Sequence, residues 1–271
     1  MIIDAPMIID AHCHVWPDHI AAKVLASRPA SLDAVHDGTL AGLRRTMSAA
    51  GVEHAMVLGV ANVARTVQRT NEWIGGVDRT SFTPFGTVHP DLPAEVNLAS
   101  LRDNGIGGVK LHPLFQDLSL AEPRVIELLH ALAEAGIVVI THAGAGGSAD
   151  ANERGAPDAL RAALDAVPAL TLIACHFGGY HMLDEAEELV VGSRAYLETS
   201  WPPRLADLGA ERIRSLIRRH GADRIIFGSD WPIADQAAEI AAVRALGLTP
   251  SETDAILGNT LATILALTPH P

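Results

Sequence analysis

The sequence predicts an α/β chain folded as a single-domain (β/α)8 TIM barrel, and three observations predict it. Eight short apolar runs alternate with amphipathic segments, the chain is 271 residues long, and no glycine-rich nucleotide fingerprint follows any of the runs. Short apolar strands alternating with helices imply a parallel sheet covered on its outer face. Eight such units in roughly 250 residues suit a closed barrel. The missing fingerprint argues against an open, doubly wound sheet.

The first predicted strand is 7–12, Met-Ile-Ile-Asp-Ala-His, leading directly into Cys13-His14. Residues 1–5 repeat as 7–11 across Pro6, so only the second copy can lead into the histidines; the first is expected as a frayed leader or a short extra strand at the barrel floor. The remaining strands are expected at 55–60, 82–88, 107–112, 137–142, 170–176, 195–199 and 224–228. Runs such as Ala-Met-Val-Leu-Gly-Val (55–60) and Ile-Val-Val-Ile-Thr-His (137–142) are short and rich in β-branched residues. Helices are expected at 93–104, 122–135, 157–166, 181–191, 208–220 and 234–246. In 122–135 the stripe Val125, Ile126, Leu128, Leu129, Leu132 recurs at helical spacing. Gly51, Pro84, Gly105, Gly136, Pro168 and Gly221 punctuate the junctions. The interval 15–54 is longer than one crossover helix needs. Its surplus, from Trp16-Pro17-Asp18 to Gly38, is read as an extended loop after strand 1, either a lid that sets specificity or a surface excursion.

Composition narrows the function classes. With 48% hydrophobic and 19% charged residues the chain is globular rather than disordered. A net charge of −12 argues against a grip on nucleic acid or an anionic membrane. No apolar run approaches the roughly 18 residues a membrane span needs. The start of the chain carries Asp4 and Asp10 and no basic region, so no secretory signal is expected. Cys13 and Cys175, the only cysteines, each precede a histidine inside a predicted strand, which disfavours a structural disulfide and points to a reduced, cytoplasmic setting. The expected partner is a small-molecule substrate, and the sequence admits a homo-oligomer.

The polar residues fall at the carboxyl ends of the predicted strands, the face on which barrel enzymes build their sites. Side chains alternate along a strand, so His12 and His14 share one face, as do Lys110 and His112. His142 ends strand 5, His176 ends strand 6, and Asp230 follows strand 8 in Gly-Ser-Asp-Trp-Pro. Three imidazoles and a carboxylate suit zinc or a similar divalent ion with a position open for water.

These motifs resemble the amidohydrolase superfamily, in the branch that includes aminocarboxymuconate-semialdehyde decarboxylase. The matching stretches are His12-x-His14, Gly-Val-Lys-Leu-His-Pro (108–113), Thr-His-Ala-Gly (141–144), His-Phe-Gly-Gly (176–179), Gly-Ser-Asp-Trp-Pro (228–232) and a late Ile-Leu-Gly-Asn-Thr (256–260). The resemblance implies that His12, His14, His142 and Asp230 hold one zinc per chain. It makes His176 a nearby acid, base or electrophile and Asp230 the proton acceptor for a metal-activated water. Lys110 is then a catalytic cation for a substrate carboxylate or oxyanion. In binuclear relatives a carboxylated lysine at this position bridges two metals, with His176 a ligand of the second; one metal is favoured because the surrounding motifs resemble the mononuclear branch.

Other residues weigh less. Asp10 shares the inward face with His12 and, buried, needs a partner. Weak substrate-binding candidates are Trp16, His112, Trp201, Arg204 and Trp231. The three tryptophans, just beyond strand ends, are equally ordinary packing, and His112, at the end of strand 4, is equally structural. Arg204, in the loop after strand 7, is more readily a surface charge. The expected activity is metal-dependent hydrolysis of a small amide, lactone or ester. The alternative is non-oxidative decarboxylation of a small carboxylic acid at the same site. A metal-dependent nuclease is disfavoured by charge and by lysine at position 110, and a barrel that only binds is disfavoured because open-sided ligand sets usually do chemistry.

Overall fold

A computed structural model describes residues 7–27 and 32–267; the first copy of the N-terminal repeat and part of the 15–54 interval lie outside the described residues. The elements run β1 (Ile9–His14), α1 (Asp18–Ala26), α2 (Leu40–Ala50), β2 (His54–Leu58), α3 (Val67–Gly75), β3 (Phe82–Phe85), α4 (Ala94–Asp103) and β4 (Gly108–Leu111). They continue with α5 (Pro113–Gln116), α6 (Pro123–Glu134), β5 (Val138–Thr141), α7 (Ala149–Arg154), α8 (Pro157–Ala166), β6 (Leu172–Ala174), α9 (Leu183–Leu189) and β7 (Tyr196–Glu198). The last are α10 (Ala210–His220), β8 (Ile225–Ile226), α11 (Gln236–Arg244), α12 (Pro250–Asp254) and α13 (Thr260–Ile264), the final pair joined by a π-helical turn, Ala255–Asn259. All eight expected strands are present, at or inside the predicted ranges apart from β1, which runs on through His14, and β2, which starts one residue earlier.

The chain divides into two compact units. The first comprises the chain up to Val57, Thr80–Thr83 and everything from Thr199 onward. Every residue of β1 is buried, which suits a strand covered on both faces. Ala11 N–H donates to Phe227 O at 3.0 Å, His14 N–H to Trp231 O at 2.7 Å and Trp231 N–H to His12 O at 3.0 Å. The first strand therefore lies beside the segment that follows the last one, as closure of a barrel requires. Thr39 caps α2 by accepting from Gly42 N–H, and left-handed Gly51 ends it. Thr249 and Glu252 form a reciprocal capping box at α12.

The second unit comprises Leu58–Arg79 and Pro84–Glu198. Its strands β4, β5, β6 and β7 lie side by side in chain order and parallel. The register pairs Lys110 with Ile140 and Ile140 with Ile173, so these three side chains share one side of the sheet. Gly86 N–H donates to Gly108 O and Lys110 N–H to Gly86 O, extending the ladder to the segment after β3. Arg194 donates to the carbonyls of Leu164, Val167 and Leu170, tying the end of α8 to the loop before β7.

Four features depart from the sequence reading. The surplus read as an extended loop after strand 1 carries a helix, α1. Helix α3 was not anticipated, because its inward face includes Asn71 where an apolar residue would have shown the period. Asn71 is buried, donates to Thr87 O and Ser100 Oγ and accepts from Thr87 N–H. Helices α5 and α7 were also not anticipated; both are short and lie in the loops after β4 and β5. Strand β6 stops at Ala174, two residues short of the predicted end. His176 and Phe177 then take positive φ angles of 58° and 53°, so the chain turns out of the strand at the histidine.

Candidate active site

In the first unit the backbone fixes one cluster. His12 and His14 project from the same side of β1, as alternation predicts, with Nε2 atoms 3.1 Å apart. Asp230 sits at the turn after β8 with φ 64°, a left-handed conformation that costs energy for any residue with a Cβ and concentrates at functional sites. That turn brings Asp230 Oδ1 to 3.3 Å from His12 Nε2 and 3.7 Å from His14 Nε2. A tetrahedral ion with ligand bonds of about 2.1 Å holds its ligand atoms about 3.4 Å apart. The three observed separations bracket that value, and two imidazole nitrogens facing one carboxylate oxygen suit a borderline divalent cation. The donor set therefore fits a metal.

Beneath the cluster lies Asp10, fully buried. Its Oδ1 accepts from the N–H groups of His12 and Ser229, both at 3.0 Å, and its Oδ2 accepts from Ser229 Oγ at 2.6 Å and Gln236 Nε2 at 2.7 Å. Gln236 Oε1 accepts in turn from Thr46 Oγ1 at 2.9 Å. Burial pushes the Asp10 carboxyl above its ordinary pKa, and these four donors pull against the shift. The carboxylate expected to need a partner has four, and they pin β1 to the turn that carries Asp230. Ser200 Oγ, 3.2 Å from His12 Nδ1, orients that ring from the other side. Neither Ser200 nor Gln236 stood out in the sequence, because a lone serine or glutamine carries no periodic or spacing signal.

In the second unit His112, His142 and His176 form an aromatic run. Phe115 and His112 stack with centroids 3.8 Å apart, His112 and His142 stack at 4.5 Å, and His176 meets His142 edge-on at 5.0 Å. His142 Nε2 donates to Ala145 O at 3.1 Å, leaving the Nδ1 lone pair facing His176 Nε2 at 3.2 Å. Burial first, and the positive charge of Lys110 second, push the His142 pKa down to about 3, against backbone hydrogen bonds to Ala145 and Gly144. A neutral imidazole at ordinary pH is the form a metal requires.

Lys110 is also fully buried, and its Nζ lies 3.0 Å from Cys175 Sγ. Cys175 owes its orientation to the register of the sheet. It lies two positions beyond Ile173, so it stands on the same side of the sheet as Lys110. Glu198, fully buried at the end of β7, is a second titratable group the sequence reading passed over.

The weak substrate candidates separate. Trp16 stacks on His14 with centroids 6.1 Å apart, keeping it beside the cluster. Trp231 is wholly buried and stacks on His36, so it packs the interior instead of lining an open wall. Trp201 is buried as well. Arg204 is exposed and paired with Asp207 at 2.9 Å, a surface ion pair three residues apart in sequence. Among the described residues no helix is long and apolar enough to cross a membrane.

Comparison with known proteins now adds the fold and the family. The family model described as "Amidohydrolase" matches residues 9–265. A search of curated proteins finds no match. Among solved structures, an uncharacterised TIM-barrel protein from Bordetella bronchiseptica superposes with TM-score 0.76 at 18% identity, covering 96% of this chain and 98% of its own. A dihydroxybenzoic acid decarboxylase from a Polaromonas species, with bound manganese and an inhibitor, gives 0.75 at 16%, covering 98% of each chain. A putative 2-pyrone-4,6-dicarboxylic acid hydrolase from Pseudomonas putida gives 0.70 at 20%, covering 97% of this chain and 99% of its own. The fold is the (β/α)8 TIM barrel, and the chain belongs to the amidohydrolase family of metal-dependent enzymes.

Proposed function

We propose that this protein is a divalent-metal-dependent lyase that removes a carboxyl group from a small carboxylic acid without a redox step. The observation that carries the metal dependence is the convergence of His12, His14 and Asp230 within 3.1 to 3.7 Å. The family resemblance implies a single divalent ion, zinc by that resemblance, while one solved structure similar to this chain holds manganese. His142 would join the ligands only by giving up its contact to Ala145 O or to His176. A bound cation supplies Lewis acidity to the oxygens of the substrate. His12, oriented by Ser200, and His14, backed by Trp16, would hold that ion together with Asp230. Asp230 holds or releases a proton at its carboxylate. His176 delivers the Nε2 proton to the carbon from which carbon dioxide departs, because that carbon must gain a proton when the C–C bond breaks. Decarboxylation is favoured over the hydrolysis expected from sequence because the solved structures it resembles include several named as decarboxylases. Hydrolysis of a lactone is the second reading, supported by the pyrone hydrolase likeness.

One product assay separates them. With a panel of hydroxybenzoates and pyrone dicarboxylates in 18O-water, the lyase reading expects bicarbonate release and no 18O in the organic product. Label in a ring-opened product, without bicarbonate, would replace the lyase with the hydrolase.

A further inference from the structure

We infer that Lys110 and Cys175 form an oxidative cross-link, an Nζ–O–Sγ bridge between β4 and the end of β6. The two atoms are 3.0 Å apart, close enough for a bent N–O–S link to form by a small closing movement of the long lysine side chain. The contact is built by the sheet and is not accidental to one rotamer. Lys110, Ile140 and Ile173 face one way by register, and Cys175 follows Ile173 by two, so the long lysine reaches across β5 to the thiol. Both side chains are fully buried, which holds the pair together. Cys13, the other cysteine, belongs to the first unit, on β1.

The reactant is a peroxide, and two molecules balance the step. The first converts the Cys175 thiol to a sulfenic acid and leaves as water. The Lys110 ammonium next releases one proton to solvent. The second peroxide then accepts two electrons and two protons, one from the sulfenic O–H and one from the neutral Lys110 amine, as the N–O bond closes, and leaves as two waters. Nitrogen and sulfur are each oxidised by two electrons, and thiol reductants reverse the bridge.

Intact-mass and peptide measurements on the full-length protein test this. After mild hydrogen peroxide, the expected product gains one oxygen and loses two hydrogens. Digestion yields the Lys110 and Cys175 peptides joined, the joined pair disappears after dithiothreitol, and it never forms in Cys175→Ser or Lys110→Met. Wild-type protein alone keeps the test decisive should either variant fold poorly. Added oxygens without hydrogen loss, a loss of two hydrogens only, or no change at all would each overturn the bridge. Mass, not turnover, is the readout, so the result stands apart from the proposed reaction.

Discussion

At the scale of single residues, Asp230 bears the heaviest demand, being the only carboxylate in the cluster it forms with two imidazoles. Asp230→Asn is expected to fold, because asparagine tolerates the left-handed backbone found there. It should lose at least about 100-fold in kcat/KM, since the amide cannot take a proton. Circular dichroism and steady-state kinetics check both halves; parental turnover would remove Asp230 from the reaction. Asp10 acts through His12 and Ser229 rather than on a substrate, so its variants should read out in metal binding. Gln236→Leu removes one of four donors and is expected to weaken the bound cation by roughly 10- to 100-fold in a chelator competition, with smaller changes in KM. Unchanged cation affinity with a lowered Tm would make the network purely structural. His142 sets a pH dependence. Its folded pKa of about 3 lies below the ordinary 6.5, so the unfolded chain binds the proton first. The stability it contributes is complete above about 6.5 and is lost as the pH falls toward about 3. In chelator-treated protein Tm should fall between pH 7 and pH 5, and His142→Gln should flatten that slope. An equally steep slope in the variant would place the titration elsewhere.

At the scale of elements, the loops after the strands owe their shape to positions where no side chain fits. Gly144, in the Thr-His-Ala-Gly stretch that follows β5, has φ 97°, and a Cβ there would lie 2.1 Å from Tyr180 N. Gly144→Ala is therefore expected to cost about 2–5 kcal/mol, combining left-handed strain with overpacking, as measured by urea denaturation. A loss below about 1 kcal/mol would mean that the loop rearranges freely. The same scale shows what the sequence could and could not tell. Long periodic segments such as α6 and the apolar strands were legible because their burial is written in side-chain chemistry. Helix α3 was not, since Asn71 replaces an apolar residue with three hydrogen bonds. The end of β6 was misplaced because a positive φ at His176 is invisible in a run of residues that all favour strands. For Trp231 the sequence leaves pocket wall and packing open, and only its burial against His36 assigns it to the interior.

At the scale of the whole molecule, the barrel was readable from the count and spacing of strands, and the candidate ligand group from histidines and an aspartate far apart in sequence. What sequence could not supply was the support beneath it, because Asp10, Ser200, Ser229 and Gln236 meet only after folding. The final helical stretch adds one more support. Its π-helical turn lets Ile256 O accept from Phe227 N–H at 2.8 Å, and Gly258 lies so close to Met7 O that a Cβ would stand 1.8 Å from it. Both partners flank the strands that present His12, His14 and Asp230. Cation uptake thus doubles as a gauge of whether the tail has seated. A chain cut just before Ala255 would be expected to reach the ribosome's exit with its histidines made but not yet mated, and to hold metal only once the missing turn is supplied in trans.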